Sequence, residues 1–217
     1  MSPSGIISTN DLFLCLLAAF LLGSIPFGFL VSKIWLDIDV RKEGSGNIGM
    51  TNVMRIGGRG PGIVTFLLDF GKGFLAVRLA SLNDVLLNED DETRMLMLTL
   101  VGCAVVLGHV YSVFLKLKGG KGVSTLFGIL AALNLVIGLL AGAIWISLFL
   151  WKRVSSLSAL TLLVILPWLF LFIPWLTEQI LSLKQFFMIF ALSVLLIYKH
   201  RENISRLISG EEGKLKT

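Results

Sequence analysis

Charged residues are scarce in this 217-residue chain: Asp, Glu, Lys and Arg together make up 15% of it, against 55% hydrophobic residues. With a mean hydropathy of +0.87, this balance excludes an ordinary soluble domain and is typical of a protein that has lipid as its solvent. Several apolar runs approach the length that crosses a bilayer, so little chain is left for a separate soluble domain. We therefore expect one domain, residues 1–217, folded as an all-α bundle of membrane helices.

Residue patterns that would support other chemistries are also missing. The only two cysteines, Cys15 and Cys103, lie in apolar runs, where they behave as small hydrophobic residues rather than as a disulfide or a metal pair. Neither an H-E-x-x-H zinc pattern nor a G-x-S-x-G nucleophile elbow occurs, so no metal or other cofactor is expected. Residues 1–10 carry no Lys or Arg and no small-residue cleavage site follows, which predicts an uncleaved first span.

The positions of the charges predict the topology. Six apolar runs cover about 12–32, 61–82, 95–115, 122–151, 157–174 and 181–198. Most Lys and Arg residues lie outside these runs and are predicted to face the cytoplasm, in the segments 33–59, 116–121, 152–153 and 199–217. The acidic segment 83–94 and the nearly neutral segment 174–184 are predicted to face away from it. The formal net charge of +5 therefore reflects topology, and no nucleic acid partner is expected.

The run 122–151 lies between two segments that are both predicted to be cytoplasmic, so it must cross the membrane an even number of times. It is too short for two spans of about 20 residues each. We expect two short helices that turn near Asn134 and Gly138, which gives seven membrane helices with an extracytoplasmic N-terminus and a cytoplasmic C-terminus. The alternative is one long tilted helix, which would place residues 152 and 153 outside.

Three polar motifs lie on the predicted cytoplasmic side. The first is DIDVRKEGSGNIGMTNVMRIGG, residues 37–58. Its glycines expose backbone N–H groups beside hydroxyl, amide and guanidinium side chains, a set that suits a phosphate or a carboxylate. The side chains concerned are those of Arg41, Ser45, Asn47, Thr51 and Asn52. A solvated linker is the alternative interpretation.

The second motif is FLKLKGGKGVSTLFG, residues 114–128, preceded by GHVY. Leu115 and Gly122 stand where a nucleotide-binding P-loop requires Gly and then Ser or Thr, so a P-loop is not expected. Lys118 and Lys121 still favour an anion, because they adjoin a helix start whose free N–H groups and dipole attract negative charge. Alternatively the lysines anchor helix ends among lipid headgroups, an interpretation that we prefer for Lys116.

The third motif, YKHRENISRLISGEE (198–212), begins where the last apolar run ends. His200, Asn203 and Arg206 recur at steps of three and so share one face of a helix, although a His near a helix end is more often a capping or packing group. Asp69 and Lys72 lie inside the second apolar run, where their i, i+3 spacing lets them neutralise one another. They are expected to face the bundle interior, either as a structural pair or beside a substrate.

The blocks LGSIPFGFLVSK, DVRKEGSGNIGMTN, GHVYSVFLKLKGGKGVST and HRENISRL resemble the bacterial acyl-phosphate glycerol-3-phosphate acyltransferases of the PlsY type, over about residues 20–210. The resemblance implies a seven-helix enzyme of the bacterial cytoplasmic (inner) membrane whose active site faces the cytoplasm. It would transfer an acyl group from acyl phosphate to the sn-1 hydroxyl of glycerol 3-phosphate, which gives 1-acyl-glycerol 3-phosphate (lysophosphatidic acid) and phosphate. This is the first acylation step of phospholipid synthesis.

The resemblance implies substrate contacts at Arg41, Ser45, Asn47, Lys118, Lys121, His200 and Asn203, and the motifs described above add the remaining candidates. The catalytic candidates are Ser45, Lys121, His200 and Asn203. The substrate-binding candidates are Arg41, Gly46, Asn47, Thr51, Asn52, His109, Lys118, Gly119, Gly120, Gly122, Ser156 and Arg206. The glycerol hydroxyl is expected to attack the acyl-phosphate carbonyl directly, while cationic side chains stabilise the phosphates and the developing charge. The base is open between a substrate phosphate oxygen and His200.

The chain departs from the family pattern at several positions. Ser112 stands where the family usually has Pro. Ser156 matches the first serine of the family's VSLAS loop, but Ala159 replaces the second. Ser158 is a candidate substitute for that second serine after a one-residue shift.

A membrane carrier or channel for phosphate-bearing anions is the alternative function, since basic loops beside broken helices also occur in carriers. Against it, the polar motifs crowd one side, whereas a transport path also needs polar groups at the midplane and on the other face. The expected partners are acyl phosphate, glycerol 3-phosphate and the lipid bilayer. A soluble enzyme that produces acyl phosphate is a candidate partner for the basic face.

Overall fold

The computed structural model describes residues 9–83, 89–176 and 182–213. Within these residues the regular secondary structure is helical, with short 3-10 turns at Val40–Lys42 and Val113–Leu115. The α-helices are α1 (Thr9–Ser24), α2 (Phe27–Leu36), α3 (Met50–Gly57), α4 (Arg59–Ser81), α5 (Asp91–Val110), α6 (Val123–Leu133), α7 (Leu135–Lys152), α8 (Ser155–Leu176), α9 (Leu183–Lys199) and α10 (Arg201–Ile208). Residues 1–8, 84–88 and 177–181, which belong to the segments predicted to face away from the cytoplasm, lie outside the described residues.

Within the described ranges, four stretches are long and apolar enough to cross a membrane: Asn10–Leu36, Asp91–Leu115, Leu135–Lys152 and Ser155–Pro174. Helices α9 and α10 form a fifth candidate if this pair, bent by 59°, is one span. Helix α4 has 23 residues, so it is long enough to span, but it carries several charged side chains. The chain is therefore an all-helical, multi-pass integral membrane protein, as predicted.

The predicted break in the run 122–151 is present at Asn134. The backbone is extended there, and the side-chain oxygen accepts a hydrogen bond of 3.1 Å from the N–H of Ile137, which caps the start of α7. Helix α6 has 11 residues and is short, as expected, but α7 has 18 residues and is a candidate span. The expectation of two short helices is therefore wrong for α7. Gly138 lies inside α7, where a Cβ would come within 2.9 Å of the backbone of Ala131.

Glycines bring the central helices close together. Helix α1 packs on α5, and α4 packs on α6. A Cβ on Gly108 of α5 would overlap the carbonyl oxygen of Phe20, and a Cβ on Gly128 of α6 would overlap that of Phe70. Small residues at such crossings let two backbones approach within membrane bundles. Helix α5 also contacts α4 and α6 directly, so the end of α5, the start of α6 and the loop between them lie beside α4.

The segment between α2 and α3 is anchored to the bundle by a small apolar cluster. Val40, Ile48 and Val53 are buried there together with Val31 and Leu115. Two glycines of this segment, Gly44 and Gly46, have positive φ angles of +58° and +68°, a backbone region that favours Gly. The first polar motif is therefore an anchored loop followed by α3 at the end of the bundle, and not a solvated linker.

Candidate active site

A cavity of about 710 Å³ opens at the end of the bundle where α4, α6 and α8 begin. Its apolar part is formed by side chains of α4, α6 and α7: Phe66, Phe70, Phe127, Trp145 and Ile146. Its polar part gathers residues from all three predicted motifs and from the start of α8: Ser45, Asn47, Thr51, Asn52, His109, Lys121, Gly122, Ser156, His200, Asn203 and Arg206. The fold thus brings most of the predicted site residues to one wall, although they lie far apart in the sequence.

Lys121 is one of the cationic side chains of this polar wall, together with Arg206. Its ammonium group donates a hydrogen bond to the side-chain oxygen of Asn203 on α10. Burial, the largest cause, and the nearby Arg206 lower the pKa of Lys121, whereas Glu202 and Glu212 raise it, and the resulting pKa is about 8. Lys121 therefore remains mostly charged at neutral pH and loses its proton under mildly alkaline conditions.

Glu212 is a site residue that the sequence motifs did not predict. Its carboxylate accepts hydrogen bonds from Ser156 Oγ (2.6 Å), Asn203 Nδ2 (2.6 Å) and Arg206 Nε (2.7 Å). Burial alone would raise the pKa of Glu212, but these three hydrogen bonds outweigh burial and lower it. Glu212 therefore ties the start of α8 to α10 and turns the amide oxygen of Asn203 toward Lys121.

The chain returns to the cavity after α10 because of its local geometry. Gly210 has a φ of +75°, which ends the helix in the left-handed conformation that Gly favours. The N–H groups of Glu211 and Glu212 both donate to the carbonyl oxygen of Arg206. The available sequence signal was an acidic pair directly after a Gly that follows a basic helix.

His200 lies at the junction of α9 and α10 and is 3% exposed. Its Nδ1 lies 2.7 Å from the carbonyl oxygen of Leu196. That acceptor requires a proton on Nδ1, so the neutral ring has its lone pair on Nε2. Burial outweighs the hydrogen bond to Leu196 and, together with the charge of Lys121, lowers the pKa of His200 to about 4. The imidazole is therefore neutral at physiological pH.

Residues of the first motif line the cavity and also fix the loop that carries them. The Asn52 amide donates to the carbonyl oxygens of Val40, Glu43 and Asn47 at 2.9–3.3 Å and accepts from the N–H of Ser45 at 2.9 Å. These four hydrogen bonds fix the loop that presents Ser45 and Asn47 to the cavity.

Thr51 connects the first motif to α8. Its hydroxyl lies 2.9 Å from that of Ser155, the residue before Ser156. The structure thus links two sequence-distant parts of the polar wall through a direct side-chain hydrogen bond.

Five predicted residues lie away from the cavity wall, namely Arg41, Gly46, Lys118, Gly119 and Gly120. The Arg41 guanidinium pairs with Asp39 at 2.7 Å and stacks on the ring of Phe29. Its hydrogen bond lowers the pKa of Asp39 to about 2. Gly119 and Gly120 donate their N–H groups to the carbonyl oxygens at the end of α5, so they fix the loop rather than face the cavity.

Asp69 and Lys72 form the predicted interior pair. Lys72 Nζ lies 2.8 Å from Asp69 Oδ1, and each side chain is 1% exposed. Asp69 also reaches the wall of the cavity together with His109. The pair is therefore buried, as expected, and lies beside the candidate site.

The position of the second family serine is occupied by Ala159, which lines the cavity. Ser158 is fully buried and donates to the carbonyl oxygen of Val154 within its own helix at 3.2 Å. Ser158 therefore does not replace the missing serine. Ser112 donates its hydroxyl to the carbonyl oxygen of Ser24, which anchors the end of α5 to α1.

This arrangement can hold an anionic group against a cation and several hydrogen-bond donors, with an apolar chain extending between α4, α6 and α7. In the described part of the chain no group of three or more His, Cys, Asp or Glu side chains could hold a metal ion. The chemistry that the wall itself supplies is electrostatic stabilisation and orientation.

Known proteins are similar in sequence to this chain over most of its length. Two relatives named glycerol-3-phosphate acyltransferase are 41% identical over 194 residues (Aquifex aeolicus, 89% of this chain and 94% of the relative) and 43% identical over 199 residues (Dinoroseobacter shibae, 92% and 90%). A crystal structure of PlsY (YgiH), an integral membrane glycerol 3-phosphate acyltransferase, in its glycerol 3-phosphate form is 38% identical with a TM-score of 0.82 and covers 95% of this chain and 96% of its own.

The lysophosphatidic acid form of the same enzyme is 37% identical with a TM-score of 0.78, again covering 95% of this chain and 96% of its own. The family described as glycerol-3-phosphate acyltransferase matches residues 13–210. The chain therefore belongs to the glycerol-3-phosphate acyltransferase family.

Proposed function

We propose that the chain transfers an acyl group from acyl phosphate to the sn-1 hydroxyl of glycerol 3-phosphate. The products are 1-acyl-glycerol 3-phosphate (lysophosphatidic acid) and phosphate. The observation that carries this proposal is one cavity in which Lys121 and its polar neighbours adjoin an apolar groove. A substrate with a phosphate at one end and a fatty chain at the other matches both parts, and the family membership agrees with it.

The proposed reaction is a direct transfer without an acyl-enzyme. The sn-1 oxygen forms a bond to the acyl carbonyl carbon, and the bond from that carbon to the phosphate oxygen breaks, so that phosphate leaves with the electron pair. Lys121 stabilises the negative charge that develops on the carbonyl and phosphate oxygens. Asn203 and the loop of Ser45 hold the reacting groups in place.

The proton of the glycerol hydroxyl must pass to a base. His200 keeps a lone pair on Nε2, but its pKa of about 4 makes it a weak acceptor. A phosphate monoester has its second pKa near about 6, so a substrate phosphate oxygen is the better acceptor. We therefore assign the proton to phosphate and an orienting role to His200.

The other predicted substrate contacts fall into two groups, according to whether they line the cavity. Residues on the wall are proposed to touch substrate: Asn47, Thr51, Asn52, Gly122, Ser156 and Arg206. Residues off the wall are proposed to shape the loops or attract the anions: Arg41, Gly46, Lys118, Gly119 and Gly120. No cofactor takes part in the proposed reaction.

The proposed topology has seven membrane segments in one domain, residues 1–217. They are the bent pair α1–α2, then α4, α5, α6, α7, α8 and α9, with an extracytoplasmic N-terminus and a cytoplasmic C-terminus. Among the described residues, Arg55, Lys121 and Arg206 from three of the basic segments line the cavity, and the segment 152–153 directly precedes the start of α8 on its wall. This supports an active site that faces the cytoplasm from the bacterial inner membrane. A soluble enzyme that produces acyl phosphate is the proposed docking partner of this face.

A donor comparison tests the proposal. Purified protein is incubated with labelled glycerol 3-phosphate and either palmitoyl phosphate or palmitoyl-CoA, and label in the lipid phase is counted. We expect product with palmitoyl phosphate only, its loss in Lys121→Ala, and its retention in Lys116→Ala, a control in the same loop. No product from either donor would contradict the acyltransferase assignment, and product from palmitoyl-CoA would contradict the donor.

A further inference from the structure

The proposed chemistry leaves three buried ionisable side chains unexplained. Asp69 and Lys72 lie inside α4 and are each 1% exposed as side chains, and His109 at the end of α5 is 3% exposed. Charges in a membrane helix are expensive and are kept where they serve a site. Lys72 Nζ also donates to the carbonyl oxygen of Ile25 at 2.9 Å, at the bend between α1 and α2.

His109 connects this pair to the loop that carries Lys121. Its Nδ1 lies 3.4 Å from Asp69 Oδ1, and its carbonyl oxygen accepts the N–H of Gly120 at 3.0 Å. A Cβ on Gly120 would overlap His109 Nε2, so the imidazole lies directly against this Gly. Both the ring and the backbone of His109 therefore contact the residue that precedes Lys121.

The three side chains have few other polar partners. Neither carboxylate oxygen of Asp69 nor Nδ1 of His109 makes a well-formed hydrogen bond within the described residues. Among the described residues, the negative charge of Asp69 is thus compensated by the nearby side chains of Lys72 and His109. The contacts run without interruption from the bend at Ile25 through α4 to the end of α5.

We propose that Asp69, Lys72 and His109 are positioning residues that hold the Gly119–Gly120 loop against α5 and thereby fix the ammonium group of Lys121 in the cavity. This inference rests on the proposed role of Lys121 in binding the substrate anions. On this account His109, predicted above to bind substrate, acts through Gly120.

Two variants test whether these residues position the Gly119–Gly120 loop, separately from any effect on folding. His109→Asn keeps a donor within reach of Asp69 but withdraws the ring from Gly120. The double variant Asp69→Asn, Lys72→Met removes both charges together, which avoids a lone buried charge and preserves folding. Asp91→Asn, Arg94→Met is the matched control, because it removes an i, i+3 ion pair at the far end of α5.

The readouts are the KM for glycerol 3-phosphate and the pH profile of kcat/KM with acyl phosphate as donor. A loosened loop misplaces Lys121, so we expect KM to rise by about tenfold in both test variants. A less buried Lys121 also keeps its proton to higher pH. The alkaline limb is expected near pH 8 in the wild type, from the pKa of Lys121. In the variants it should move upward, since the charges facing Lys121 (Arg201, Glu202, Arg206 and Glu212) and the neutral His200 are unchanged.

Unchanged KM in both variants would overturn the inference. Lower thermal stability without a shift of the alkaline limb would also overturn it, because that result indicates a merely structural role. Failure of both variants to fold would overturn it as well. A wild-type protein that is inactive with acyl phosphate would overturn the proposed function itself and would be recognised before any variant is compared.

Discussion

Replacement of Glu212 by Ala is expected to destabilise the cavity end of the bundle. The change leaves Ser156 Oγ, Asn203 Nδ2 and Arg206 Nε without the carboxylate that accepts from them at 2.6–2.7 Å. Two lost hydrogen bonds from neutral donors account for about 1 kcal/mol each. The Arg206 side chain is 33% exposed, so its ion pair is discounted to about 1 kcal/mol. The free energy of unfolding should fall by about 3 kcal/mol.

The assay is thermal unfolding of the detergent-solubilised protein, with Glu211→Ala as the control. Glu211 is exposed and accepts only from Ser209 among the described side-chain contacts, so its loss should change stability little. For a chain of this length each kcal/mol corresponds to a Tm shift of about 2–4 °C. A shift of several degrees for Glu212→Ala alone is expected, whereas equal Tm values for the two variants would refute the role given to Glu212.

Four further predictions concern activity. Lys121→Ala should lower kcat/KM by about 10²-fold or more, and Lys116→Ala should lower it by less than twofold. Wild-type activity should fall above pH 8, because Lys121, whose pKa is about 8, loses its proton there. His200→Gln should keep most of kcat, because a base with a pKa of about 4 is a poorer proton acceptor than phosphate. Gly120→Ala should raise the KM for glycerol 3-phosphate, since a Cβ overlaps His109, whereas Gly71→Ala, which has open space, should not.

Each of these predictions has a contradicting result. Equal kcat/KM values for the two lysine variants would remove Lys121 from the mechanism, and a flat profile between pH 7 and 9 would contradict its titration. A loss of kcat in His200→Gln by orders of magnitude would restore the histidine as base. Equal KM values for the two glycine variants would show that the loop tolerates displacement.

Much of the fold was predictable because it follows from local patterns. Apolar runs and charge positions predicted the membrane helices, and parity of the basic segments predicted the break that occurs at Asn134. The length of α7 was not predictable, since the capping hydrogen bond at Asn134 starts the helix at Leu135, three residues before Gly138. Where a helix begins within a uniformly apolar run depends on one side-chain hydrogen bond.

Site residues were predictable where a sequence motif contains them. They were not predictable where a tertiary contact decides whether a side chain faces the cavity. Lys121 and Asn203 were identified from their motifs, and the structure brings them together. Arg41 lies away from the cavity because Asp39, two residues before it, pairs with its guanidinium. The role of Glu212 was not predictable, because it depends on a turn at Gly210 that returns the chain to α8.

The most direct test of the account is the balance of products in one reaction. Purified protein with acyl phosphate and glycerol 3-phosphate is followed by phosphorus NMR, which resolves inorganic phosphate and lysophosphatidic acid together. Direct transfer predicts one phosphate for each lysophosphatidic acid and no phosphate release when glycerol 3-phosphate is omitted. Phosphate released without the acceptor, or acyl phosphate consumed without lysophosphatidic acid, would contradict direct transfer in this cavity.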